Sequence, residues 1–164
     1  MSAPNLLKDI KTGAGHSYPY ELIAVGSTLY FQAETNASGK ELWKSDGTPN
    51  ATVQIKDIRA GAGNSSPQKI TPLGSTIYFS ANDGVKGKEL WKSDGTADGT
   101  TLVKDIKAGA GGSEADILGS FGDNIFLAAE TNATGLELWK SNGTEAGTTL
   151  VKDINKWRQR LLST

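Results

Sequence analysis

The chain repeats itself every 48 residues. Lys-Asp-Ile begins at Lys8, Lys56, Lys104 and Lys152, and Glu-Leu-Trp-Lys-Ser begins at Glu41, Glu89 and Glu137. Units 8–55, 56–103 and 104–151 align without a gap, and 18 of their 48 columns are identical. An ungapped period over nearly the whole chain means three copies of one structural unit. A unit this small cannot bury its apolar surface alone, so the copies must pack on one another.

Each unit reads as four short strands. In the first they are 21–25, 28–33 (TLYFQA), 40–45 (KELWKS) and 52–58 (TVQIKDI), β-branched and aromatic where they are apolar. Turns of Gly26-Ser27, residues 35–39 and Asp46-Gly47-Thr48 separate them. No stretch keeps an apolar period of 3.6, so no helix is expected. The 20 glycines in 164 residues exceed the usual ~7% and suit a chain with many tight turns. The expected class is all-β.

Four antiparallel strands in 48 residues is the size of a β-propeller blade, with the tryptophan of each third strand filling the space between blades. The alternative is a β-trefoil, in which three four-stranded units close one domain. Three blades cannot close a propeller ring, which takes four to eight. A surplus copy of the fourth strand (6–10, LLKDI) precedes the first unit, although 150–154 already ends the third. Both ends thus carry the same strand, as if cut from a longer array or built to pair with another copy. The expectation is a homodimer closing a six-bladed ring. Residues 1–155 form the three-repeat domain, and 156–164 form a basic tail outside the repeat.

The residues 89–96 (ELWKSDGT), 99–106 (GTTLVKDI) and 77–84 (IYFSANDG) carry a resemblance. From 6 to 154 the chain resembles the bacterial ELWxxDGT repeat family, whose members look like tandem arrays in large, often cyanobacterial, proteins. The resemblance implies a propeller and an extracellular or cell-surface setting; it implies no defined activity. The Ser45-Asp46-Gly47-Thr48 turn is also similar to the Asp-box turn of sialidase-type propellers, at a different spacing.

Composition narrows the function. Seventeen basic against eighteen acidic residues give a net charge of -1, which offers no electrostatic pull toward nucleic acid or an anionic membrane. Zero cysteines and one histidine remove thiolate nucleophiles, thiolate metal sites and multi-histidine sites. No apolar run approaches a membrane span, and no basic segment followed by an apolar stretch marks a secretory leader. No cofactor is expected. The loops 34–41, 82–89 and 130–137 gather side-chain oxygens around glycine and make calcium the one metal to consider. Asn36, Asn50, Asn64, Asn132 and Asn142 match the glycosylation acceptor pattern but read as turn residues.

Residues present in every copy are expected to serve the fold. Trp43, Trp91 and Trp139 read as core anchors, or alternatively as aromatic faces of a sugar groove. Glu41, Glu89 and Glu137 lie two residues earlier, on the same strand face, and read as pairing with a backbone amide or lysine, or as a repeated ligand or cation contact. Asp46 and Asp94 give way to Asn142 in the third copy, which fits a turn hydrogen bond and not a required carboxylate. Departures from the repeat are the better ligand candidates. His16 faces Asn64 and Gly112 in the other copies, while Tyr18 and Tyr20 replace Ser66 and Gln68, so the three could form a small rim. Gln54, Phe121 and Leu136 are further departures. No Ser-His-Asp arrangement is present, and no carboxylate pair stands apart from three equivalent sets as a glycosidase would require. The expected function is a non-enzymatic module that self-assembles into a scaffold or binding platform for a glycan or protein. The alternative is a multivalent lectin with one weak site per repeat.

Overall fold

A computed structural model describes residues 5–154. All regular structure among them is β. Three four-stranded antiparallel sheets follow one another along the chain, each in simple meander order. Sheet 1 holds β1 (Tyr20–Val25), β2 (Thr28–Thr35), β3 (Gly39–Ser45) and β4 (Val53–Lys56). Sheet 2 holds β5 (Gln68–Leu73), β6 (Thr76–Asn82), β7 (Lys88–Ser93) and β8 (Thr101–Lys104). Sheet 3 holds β9 (Asp116–Phe121), β10 (Asn124–Thr131), β11 (Gly135–Ser141) and β12 (Thr149–Lys152). The expected strand order and number therefore hold in every unit.

The fourth strand is shorter than its β-prone sequence, and the reason is local. Thr52 leaves the ladder to close the preceding turn: its hydroxyl lies 2.7 Å from both Ser45 Oγ and the Thr48 carbonyl. Thr100 and Thr148 do the same. At the other end the Ile58 amide turns away to donate to Glu41. The Asp-Gly-Thr turn itself is held by Asp46 Oδ1, which accepts from the Thr48 amide and hydroxyl at 2.9 and 2.7 Å. Asn142 accepts the same two bonds from Thr144, so the carboxylate is dispensable there.

The sheets stack face to face in succession. One face of sheet 1 (Tyr30, Leu42, Ile55, Ile58) buries against Ile77, Phe79, Ala81 and Trp91 of sheet 2. The equivalent face of sheet 2 (Tyr78, Leu90, Val103, Ile106) buries against Ile125, Leu127, Ala129 and Trp139 of sheet 3. First strands pack on first strands, β1 on β5 and β5 on β9; no pair of strands from sheets 1 and 3 packs in that way. Close approach at the junctions requires glycine: a Cβ on Gly87, whose φ is +74°, would run into the Gly112 backbone.

The surplus segment 6–10 is not a strand, which corrects the sequence reading. No third strand lies beside it to supply ladder partners. It docks instead on the outer face of sheet 1, where Ile10 packs against the Phe31, Ala33 and Trp43 cluster. The basic tail lies outside the described residues.

Candidate functional site

Each junction between sheets is sealed by a buried carboxylate. Glu41 is fully buried at the start of β3 and accepts four hydrogen bonds from the linker to sheet 2. The donors are the Ile58 amide (3.0 Å), the Arg59 amide (3.3 Å), the Ser65 amide (3.2 Å) and the Ser65 hydroxyl (2.6 Å). Glu89, also fully buried, repeats the set with Ile106, Lys107 and both groups of Ser113. Removing a carboxylate from water is tolerable only where donors replace the water, and here four do. Lysines then tie each sheet edge to the turn of the next sheet. Lys56 Nζ donates to the Ala97 and Thr100 carbonyls, and Lys44 Nζ donates to Gly95. Lys104 and Lys92 repeat these contacts one unit later. Their invariance in all copies was the available signal; its meaning needed the sheets in place.

Burial pushes the Glu41 carboxyl up to about 7, against the opposing pull of its hydrogen bonds, and raises Glu89 for the same cause. An unfolded glutamate titrates near ~4.3. The folded chain therefore holds that proton more tightly than the unfolded one. The stabilising contribution is full below the unfolded value and is lost as pH rises through about 7. Denaturation midpoints should fall between about pH 4.5 and 7, with a flatter profile in Glu41→Gln. A midpoint constant across that window would contradict the assignment.

The third carboxylate lacks this seal. Glu137 is 6% exposed, yet its Oε1 has no hydrogen-bond partner among the described residues. The face of sheet 3 that corresponds to the buried faces of sheets 1 and 2 is open. Val151 and Ile154 are 45% and 68% exposed, whereas Val103 and Ile106 are 7% and 9%. At the other end of the stack, sheet 1 presents an apolar hollow of about 170 Å3 lined by Leu7, Ile10, Pro19, Leu22, Leu29 and Phe31.

The other expected site residues fall into two groups. Trp43, Trp91 and Trp139 are buried in the cores, and their indole N–H groups find no partner among the described residues, so each acts on its surroundings by packing. Tyr18 and Tyr20 are exposed and line an open cleft of about 420 Å3 with Gln32, Lys40 and Gln68. The His16 ring lies 5.6 Å from that of Tyr18 at an interplanar angle of 57°, and Lys40 Nζ lies 5.9 Å from the centre of the Tyr18 ring. The cleft between sheets 2 and 3 has Ser66 and Glu114 in the Tyr18 column, so the aromatic rim occurs once, not three times. In the glycine loops the oxygens are engaged locally. Asp83 Oδ1 accepts from the Val85 and Lys86 amides, and Thr35 Oγ1 bonds Ser38. Among the described residues no three of His, Asp and Glu converge as a metal site would require.

No family model matches the chain, and no curated protein or solved structure matches it either.

Proposed function

We propose that the chain is a non-enzymatic repeat module whose three sheets are propeller-type blades, and that it self-assembles to complete a ring. The observation that carries this reading is the pair of unlike end faces of the stack, that of sheet 3 open and that of sheet 1 covered by the N-terminal segment. Phe126, Leu138, Val151 and Ile154 of sheet 3 occupy the columns of Tyr30, Leu42, Ile55 and Ile58, which sheet 2 covers in the first junction. Leu29, Phe31, Ala33 and Trp43 of sheet 1 occupy the columns of Ile77, Phe79, Ala81 and Trp91, the matching half. One end of the chain therefore fits the other end of a second copy through a junction it already makes twice internally. Such a head-to-tail contact closes if the rotation per blade allows, and two chains of three blades give an allowed ring of six. Successive packing, without an equivalent contact between sheets 1 and 3, favours this arc over a trefoil gathered about one axis.

Light scattering coupled to size exclusion tests it. A mass of two 17.3 kDa chains is expected. A monomer at every concentration would refute self-assembly and return the trefoil to the lead. The Tyr18 and Tyr20 cleft supports a second reading, a single glycan contact per chain, which a glycan array would detect and Tyr18→Ala would abolish.

A further inference from the structure

Resting on that self-assembly, we infer that two copies join by exchanging strands. Residues 6–10 of one copy take the edge of β11 in the other and displace its residues 149–154.

The argument begins with Glu137. In the first two junctions the glutamate is satisfied by the linker that follows the Lys-Asp-Ile strand, through the amides of Ile58 and Arg59 and both groups of Ser65. For Glu137 the same offsets along its own chain lead to position 161, which is leucine and has no hydroxyl. A fourth copy of the donor linker does exist, at the N-terminus. Ile10, Lys11, the Gly13-Ala14-Gly15 turn and Ser17 stand in the columns of Ile58, Arg59, Gly61-Ala62-Gly63 and Ser65. It is already held in place on sheet 1. The Glu34 amide donates to the Ser17 carbonyl at 2.8 Å, as the Asn82 amide donates to Ser65 and the Glu130 amide to Ser113, both at 2.9 Å.

The strand ahead of this linker is equally prepared. Lys8 Nζ donates to the Pro49 and Thr52 carbonyls, the bonds that Lys56 and Lys104 make to the turns of the sheets they face. Residues 6–10 thus sit on sheet 1 in the place that the fourth strand of a neighbouring sheet takes at the other junctions. When sheet 3 of a second copy docks there, two Lys-Asp-Ile strands meet one place beside β11. Lys152 of the arriving copy would find its carbonyl acceptors taken by Lys8. The N-terminal segment carries the full donor set for the buried Glu137 carboxylate, Ser17 hydroxyl included, whereas the C-terminal sequence has leucine in the Ser65 column. The unpaired carboxylate therefore decides which strand stays.

The absence of cysteine makes a disulfide lock clean to read. Lys140 lies opposite Thr149 across β11 and β12, a spacing a disulfide can bridge. Moving the Lys44–Val53 pairing along the repeat places Asn5 of a second copy opposite Lys140. Oxidised Lys140→Cys/Thr149→Cys should remain a monomer and become a dimer on reduction. Oxidised Asn5→Cys/Lys140→Cys should give a covalent dimer. Glu137→Gln, which breaks no Oε1 bond among the described residues, should weaken the dimer at least about tenfold while leaving the monomer's denaturation midpoint unchanged. A locked chain that dimerises as well as its reduced form would overturn the exchange and leave self-assembly standing. An unmodified chain that never dimerises would overturn both.

Discussion

Glu89→Ala should destabilise the folded chain by about 3–5 kcal/mol, whereas Glu137→Ala should cost less than about 1 kcal/mol in the monomer. The two glutamates occupy the same column of the repeat, so the contrast isolates environment from residue type. Removing the Glu89 side chain strands the Ile106, Lys107 and Ser113 amides and the Ser113 hydroxyl inside the second junction. Each loses its acceptor, and a buried donor without an acceptor forfeits its hydration outright. The Glu137 Oε1 has no such bond to lose. Urea denaturation at a concentration where the chain is monomeric would measure both. Equal losses at the two positions would show that the carboxylate column acts through strand propensity, not through the linker donors.

Trp91→Ala should cost a similar amount, about 3–5 kcal/mol, by emptying the first junction. Trp91 is 7% exposed and packs in one cluster with Tyr30, Leu42 and Phe79, so its removal leaves a void that two facing sheets cannot close without breaking their registers. Its indole N–H has no partner among the described residues, so the ring contributes by volume and contact. Trp91→Phe should accordingly lose less than half as much as Trp91→Ala. A phenylalanine variant as unstable as the alanine one would place the role of the tryptophan in its nitrogen and overturn the packing account.

The buried faces were legible in part. The alternation within TLYFQA and IYFSAN places Phe31 and Phe79 on one face, and the structure keeps both there. The surplus segment 6–10 was legible as a copy of a strand, yet it forms none. A strand needs a ladder partner, and sequence identity does not supply one. The glutamate column was visible as invariant and its pairing with backbone amides was among the expected roles. Its donors were not identifiable, because three of the four are main-chain groups 17 to 24 residues away whose position depends on how the linker crosses to the next sheet.

Already written in the residues are the unit, its length, the order of its strands and the turn chemistry in which Asp46 and Asn142 are interchangeable. Those features rest on local backbone preference and on side chains bonding two residues away, which any short segment carries within it. The packing of the sheets in succession, and the sealing of Glu41 and Glu89 but not of Glu137, emerged only from the folded chain. These depend on desolvation and on which surfaces meet, and both exist only once the copies of the repeat face one another.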